Sequence, residues 1–85
     1  MQLLTTVRYW AAIKEAAHVA EEQVAAPTLA ALLAEVRQRH DARFGQVLDR
    51  CSLLLDGEQV GTRDPGSVEL RGGEVVDCLP PFAGG

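Results

Sequence analysis

Apolar and polar residues alternate at both ends of the chain, which is the pattern of strands that bury one face. The first alternating run extends from Leu3 to Trp10. Its predicted inner face consists of Leu3, Thr5, Val7 and Tyr9. Its predicted outer face consists of Leu4, Thr6, Arg8 and Trp10. A lone aromatic residue in a small protein is usually part of the core, but the position of Trp10 in the alternation favours a surface that a partner protein can reach.

The last alternating run covers residues 74–79 and follows a turn predicted at Gly72-Gly73. Its predicted inner face consists of Val76 and Cys78. Its predicted outer, solvent-facing residues are Val75, Asp77 and Leu79. Pro80 and Pro81 must end this strand, because proline lacks the backbone N–H that a ladder hydrogen bond requires.

The middle of the chain has the three- and four-residue spacing of helices. The main helix is predicted to begin after an N-cap at Thr28 and to bury an apolar face that runs from Leu29 to Val36. Three cations are expected to stabilise the exposed carbonyls of its last turn: Arg37, Arg39 and His40. A shorter helix is predicted over residues 42–49.

Shorter patterns fill the rest of the chain. Residues 11–17 predict a helical turn and residues 19–24 a second strand. Residues 52–55 and 58–60 predict a hairpin around the turn signal Asp56-Gly57, and residues 61–67 predict a loop. Without a repeat or a domain boundary in this order, the sequence predicts one α+β domain, a mixed sheet packed on one main helix.

The charge balance narrows the choice of partners. Lys and Arg number 8 against 12 Asp and Glu, so the formal net charge is −4. Because nucleic-acid affinity depends on clustered cations, this balance argues against a nucleic-acid partner and favours a basic protein partner. No run is long and apolar enough to span a membrane, and the N-terminus lacks a signal-peptide pattern. We therefore expect a cytoplasmic protein.

No constellation inside the chain predicts an active site. Cys51 and Cys78 lie in apolar runs and are expected to be packed, reduced thiols. The carboxylates near the turns have no neighbouring His, Ser or Cys that would complete a nucleophile–base pair. The glycines do not form a phosphate-binding loop. A bound metal or cofactor is therefore not expected.

The C-terminal segment offers a different kind of chemistry. We expect a packed domain over residues 1–79 and a flexible tail over residues 80–85. Gly84 and Gly85 have no side chains that would obstruct a narrow channel, so they suit insertion into the active site of another protein. There the carboxylate of Gly85 could be activated with ATP as an acyl-adenylate and converted to a thiocarboxylate by a persulfide. The alternative is an inert terminus.

Three segments carry a resemblance to a known family: VRYWAAIKEAA, RCSLLLDG and the ending GGEVVDCLPPFAGG. They resemble the MoaD-type small subunit of molybdopterin synthase, in the MoaD/ThiS family of ubiquitin-like sulfur carriers. The resemblance covers essentially the whole chain and is weakest at residues 19–26 and 61–67. It implies the β-grasp fold, which agrees with the predicted order of elements.

The resemblance also implies a function. Gly85 would be adenylated by a ubiquitin-activating-type adenylyltransferase, which binds the ATP, and would then be thiocarboxylated. The loaded tail would enter the large, MoaE-type subunit and donate sulfur to cyclic pyranopterin monophosphate. The synthase of this family is a heterotetramer of two large and two small subunits. Catalytic side chains are expected on the large subunit, so this chain would be a non-catalytic subunit.

A partner interface follows from the same resemblance. Trp10 and Leu79 match apolar positions that face partner proteins in this family, and Arg8 lies beside them. The predicted interface continues along the chain into Pro80, Pro81, Phe82 and Ala83.

One departure from the family pattern leaves the pathway open. Phe82-Ala83 stands where Val-Ser or Val-Thr is more familiar. Relatives devoted to thiazole or cysteine synthesis also end in Gly-Gly, so a carrier for thiamine or cysteine biosynthesis is an alternative. A ubiquitin-like protein modifier is another. Lys14 is the only lysine, which argues against a modifier that builds chains of itself.

Overall fold

A computed structural model describes residues 3–81, and within them five strands form one mixed sheet. The strands are β1 (Thr5–Tyr9), β2 (Glu21–Val24), β3 (Ser52–Leu55), β4 (Glu58–Gln59) and β5 (Val75–Leu79). The helices are α1 (Ala11–Ala17), α2 (Leu29–Arg39) and α3 (Ala42–Leu48), and a 3-10 turn covers Pro65–Ser67. No helix within residues 3–81 has both the length and the hydrophobicity needed to cross a membrane.

The strand order in space is β2-β1-β5-β3-β4. β1 and β5 are parallel neighbours at the centre, and the other neighbouring pairs are antiparallel. With α2 packed on one face, this is the ubiquitin-like β-grasp arrangement. The predicted α+β class and element order are confirmed.

The hydrophobic core combines the inner face of the sheet with one face of α2. From the central strands it receives Thr5, Val7, Tyr9, Val76 and Cys78, all of them buried. From α2 it receives Leu29, Leu32 and Val36, each fully buried. The strand period of two and the helix period of 3.6 bring these side chains to one side of each element. Burial of each large aliphatic side chain contributes about 1.5–3 kcal/mol.

Polar side chains fix where two helices begin. Thr28 Oγ1 accepts a hydrogen bond from the Ala31 backbone N–H at 3.1 Å, which confirms the predicted N-cap of α2. Asp41 Oδ1 accepts one from the Phe44 N–H at 3.0 Å and starts α3 in the same way. Such a cap contributes about 1 kcal/mol.

The hairpin between β3 and β4 turns at the predicted position. Asp56 and Gly57 both have positive φ, 49° and 87°, and together they form its two-residue loop. Asp56 Oδ1 also accepts a hydrogen bond from the Val75 backbone N–H at 2.9 Å. The turn is therefore attached to the start of β5 by a side-chain contact that composition alone does not suggest.

The predicted turn before β5 is also confirmed, and Glu74 holds it. The carboxylate of Glu74 accepts hydrogen bonds from the backbone N–H groups of Arg71 and Gly72, at 2.6 and 2.8 Å. Gly72 has a φ of 100°, and a Cβ there would lie 2.0 Å from Leu3 Cβ. Position 72 therefore requires glycine both for its conformation and for its space.

Three local predictions are wrong. β1 starts at Thr5, and Leu3, which was expected inside, is 62% exposed. β2 starts at Glu21 because the residues after α1 form a turn, and Val19 is 42% exposed. The loop predicted over 61–67 contains the 3-10 turn. Leu3 and Val19 are apolar but exposed, because no neighbouring element covers the chain at these two positions.

The cations at the end of α2 contact other elements and not the carbonyls of their own helix. Arg39 pairs with Glu22 of β2, and His40 Nε2 pairs with the same carboxylate. The Tyr9 hydroxyl donates to Glu22 at 2.6 Å. Burial opposes ionisation of Glu22, but the hydrogen bonds from His40, Tyr9 and Arg39 outweigh it and lower its pKa. Arg37 and Arg39 lie in the last turn of α2, as the sequence predicts, and Arg39 and His40 in addition connect α2 to β2.

Candidate functional site

A buried carboxylate, Asp77, lies on the outer face of the sheet. Asp77 is only 6% exposed. Its carboxylate accepts two hydrogen bonds from Arg8, at 2.7 Å from Nε and 2.9 Å from Nη2, and a third from Trp10 Nε1 at 2.8 Å. The alternation pattern assigned Asp77 to the correct face, but the prediction that it faces solvent is wrong because Arg8 and Trp10 cover it.

The strand register explains this contact. Arg8 is the Cα partner of Asp77 in the parallel pair of β1 and β5. The Arg8 guanidinium also lies 5.7 Å from the centre of the Trp10 ring, within range of a cation–π interaction. The hydrogen bonds from Arg8 outweigh the effect of burial and lower the pKa of Asp77. At neutral pH an ionised Asp77 therefore holds both Arg8 and Trp10 in place.

Trp10 is 45% exposed and lies outside the core, as its position in the alternation predicts. Beside it Leu79 is half-buried on the same face of the sheet. We call this surface the outer patch and define it as Arg8, Trp10, Leu54, Asp77 and Leu79. Contact of the patch with a partner protein stays a prediction.

Leu54 was missing from the predicted interface. It is the Cα partner of Asp77 in the antiparallel pair of β3 and β5. Its neighbours Leu53 and Leu55 pack against the core, so Leu54 points to the outer face. The two-residue period of a strand places Leu54 opposite Leu53 and Leu55. With three consecutive leucines, however, the sequence has no alternation of polar and apolar residues that would show which of them faces outward.

The two prolines after β5 differ in their surroundings. β5 ends at Leu79, as the prolines predict. Pro80 is buried and Pro81 is exposed, so the exposed end of the described chain begins at Pro81 and not at Pro80. The residues predicted to carry the chemistry, Phe82-Ala83-Gly84-Gly85, lie outside the described residues, and their roles stay predictions.

The cysteine thiols are poor candidates for carrying sulfur. Burial, reinforced by Cys51 and Asp77, raises the pKa of the fully buried Cys78 thiol to about 12. Burial raises the pKa of the Cys51 thiol to about 11. The thiolate is the reactive form, and with these pKa values both residues are protonated at neutral pH. Among residues 3–81, no group of three or more His, Cys, Asp or Glu could hold a metal ion.

The fold places the chain among ubiquitin-like proteins of known structure. Small archaeal modifier protein 1 from Methanosarcina acetivorans matches with a TM-score of 0.81 at 16% identity, covering 100% of this chain and 99% of that chain. The BexX/CysO complex from Amycolatopsis orientalis matches with a TM-score of 0.77 at 17% identity, covering 95% and 99%. At these identities the likeness shows the fold alone.

A third structure is more similar in sequence. The complex of subunits 1 and 2 of molybdopterin-converting factor from Helicobacter pylori matches with a TM-score of 0.73 at 25% identity, covering 98% of this chain and 100% of that chain. A sequence search of curated proteins gave no significant match. The model of the ThiS family matches residues 7–85. The chain therefore belongs to the ThiS family of ubiquitin-like sulfur carriers.

Proposed function

We propose that this chain is a sulfur carrier for molybdopterin synthesis and that its reactive group is the carboxylate of Gly85. The observation that carries the proposal is the family match, which extends through Gly84 and Gly85. The 25% identity to the Helicobacter pylori complex supports the molybdopterin pathway. In that complex the protein is paired with a second subunit, which supports a large-subunit partner here.

The proposed cycle begins in an adenylating partner. A carboxylate oxygen of Gly85 attacks the α-phosphorus of ATP, and pyrophosphate leaves. The terminal sulfur of a donor persulfide then attacks the carbonyl carbon of the acyl-adenylate, and AMP leaves. The product is an acyl disulfide that keeps the sulfur–sulfur bond of the persulfide. A second donor thiol cleaves that bond, which leaves a thiocarboxylate on Gly85 and a disulfide on the donor. The buried Cys78 and the half-buried Cys51 of this chain take no part.

The outer patch is the proposed contact with the large subunit of the synthase. Trp and Arg are enriched among the residues that dominate binding energies. Because Asp77 already holds Trp10 and Arg8, their side chains lose little further freedom when a partner binds. Within a heterotetramer of two large and two small subunits, the tail would then deliver sulfur to cyclic pyranopterin monophosphate, and the large subunit would supply the catalytic side chains.

Intact mass spectrometry tests the reactive group. The chain is co-expressed with its adenylating enzyme and sulfur donor, and the expected mass increase is that of one oxygen-to-sulfur exchange, located at Gly85 by fragmentation. The matched control carries one extra residue after Gly85 and should show no increase. An unmodified carboxylate in the wild-type chain would contradict the proposal.

Capture of the loaded chain's partner tests the pathway. A pterin-binding large subunit that converts cyclic pyranopterin monophosphate supports the molybdopterin assignment. A thiazole synthase or a cysteine synthase would redirect it to thiamine or cysteine biosynthesis. Covalent conjugates between Gly85 and lysines of other proteins would instead indicate a protein modifier.

A further inference from the structure

A groove lies between α1 and α3, where β5 is followed by the two prolines. Its volume is about 540 Å³. The apolar part of its lining comes from Ala12 of α1 and Val47 of α3, together with Pro80 and Pro81. α1 packs against α3, so the groove is set between two elements in contact. It shares no residue with the outer patch.

The remaining lining of the groove consists of two arginines, one aspartate and the neutral Gln46. Arg43 and Arg50 both line it and both are exposed. The acidic residue in the lining, Asp49, forms an ion pair with Arg37, whose Nη2 donates a hydrogen bond to Asp49 Oδ1 at 2.6 Å. Neither Arg43 nor Arg50 forms an ion pair with another residue of the described range 3–81. The groove is therefore locally positive on a protein whose formal net charge is −4.

The position of the groove limits what can approach it. Gly85 is four residues beyond Pro81. An extended chain spans at most about 3.6 Å per residue, so four residues can reach no farther than about 14 Å from Pro81. A protein that encloses the Gly85 carboxylate must therefore bring its own surface close to Arg43 and Arg50. Exposed charges farther apart than the Debye length, about 8 Å at physiological ionic strength, are largely screened, so the arginines act only on groups that the partner brings into the groove itself.

We infer that this groove docks an acidic segment of the adenylating partner, with carboxylates on Arg43 and Arg50 and an apolar side chain on Ala12 and Val47. The inference rests on the proposed function, which requires such a partner. Arginine suits this role because its planar guanidinium binds carboxylates through two parallel hydrogen bonds. The net charge favours a basic partner, but at this groove the local charge has the opposite sign and selects an acidic surface. Every loading cycle begins with this encounter, which complementary charges accelerate.

Charge reversal tests the inference in the full chain. The variants are Arg43→Glu and Arg50→Glu, and the matched control is Arg71→Glu, an exposed arginine in the turn before β5. Adenylation is measured as ATP–pyrophosphate exchange while the carrier concentration is varied. For each groove variant we expect the KM for the carrier to rise about tenfold, equivalent to about 1.4 kcal/mol, with kcat unchanged. The difference should shrink as salt is added, and Arg71→Glu should match the wild type.

Two results would overturn the inference. One is a KM for the carrier that is the same in the groove variants and in Arg71→Glu. The other is a rise in the KM for ATP alone, which would mean that the arginines contact nucleotide phosphates. A wild-type chain that supports no exchange would contradict the proposed function itself. If thermal unfolding shows that a glutamate variant is misfolded, Arg43→Gln and Arg50→Gln remove the charge without reversing it, and the same comparison applies.

Discussion

Replacing Asp77 with asparagine tests whether its charge organises the outer patch. The substitution keeps the size of the side chain but changes all three of its hydrogen bonds, two from Arg8 and one from Trp10. An asparagine oxygen can still accept a hydrogen bond. Its amide group is a donor, however, and would face another donor on at least one side.

The expected loss is smaller than the sum of three charged hydrogen bonds. A hydrogen bond to a charged group contributes about 1.5–3 kcal/mol. The Arg8 side chain is 44% exposed and Trp10 is 45% exposed, so water can replace Asp77 for both donors. We therefore expect Asp77→Asn to lower the free energy of unfolding by about 1–2 kcal/mol. For a domain of this size, each kcal/mol lowers the unfolding midpoint by about 4–8 °C.

The pH dependence of this loss identifies its cause. The hydrogen bonds from Arg8, opposed by burial, lower the native pKa of Asp77. Its stabilising contribution is therefore complete above the unfolded pKa of about 3.9 and is lost as the pH falls through the lower native pKa. In urea unfolding, the difference between wild type and Asp77→Asn should be constant from about pH 5 to 8 and shrink below about pH 4. The exposed Glu58→Gln is the control and should have little effect. A difference that persists unchanged in acid would refute the electrostatic explanation.

Three further predictions concern the tail, the patch and a turn. Deleting Gly85 should abolish thiocarboxylate formation in intact mass spectra and leave the thermal midpoint almost unchanged; a large loss of stability would contradict a purely chemical role. Trp10→Ala should weaken binding to the large subunit at least tenfold by calorimetry, a loss of at least about 1.4 kcal/mol, while the half-exposed ring contributes less to folding; unfolding of the variant would show that Trp10 is mainly structural. Gly72→Ala should lower the free energy of unfolding by more than about 2 kcal/mol, because its Cβ would lie 2.0 Å from Leu3 Cβ. Gly73 also has a positive φ but has open space around it, so Gly73→Ala should cost only the strain of a left-handed conformation, about 1–2 kcal/mol. Equal losses in chemical denaturation would contradict the steric argument.

Most of the fold could be predicted because most of its helices and strands have one apolar face with a regular spacing, and local residues mark where they begin or end. Thr28 precedes an apolar helical stripe, so both the start and the buried face of α2 follow from local chemistry. The prolines after Leu79 end β5 for an equally local reason. Where local chemistry and burial agree, a single sequence is sufficient to place the element.

The candidate site could be predicted only in part, because its main contact joins distant positions. Alternation reports the face on which Asp77 lies, but Arg8 is 69 residues away in sequence and covers it only through the register of β1 and β5. The outward position of Leu54 depends on the register of β3 and β5 in the same way. The groove at Arg43 required the packing of α1 on α3, which no pattern within either helix reveals.

The outer patch and the groove between α1 and α3 differ in whether their arginine charges are compensated by a carboxylate. We therefore expect binding at the two surfaces to respond differently to salt. In the outer patch, Arg8 is neutralised by Asp77, so a partner meets mainly the aromatic and aliphatic surface of Trp10 and its neighbours. We therefore expect binding there to depend on apolar contact and to change little with salt. In the groove, Arg43 forms no ion pair within the described range 3–81, so we expect binding there to weaken as salt is added. Because Pro80 is buried at the end of a strand paired on both sides, both surfaces keep a fixed position relative to the start of the tail. The two proposals together therefore predict that the tail is presented to two proteins, one bound mainly by apolar contact and the other by charge.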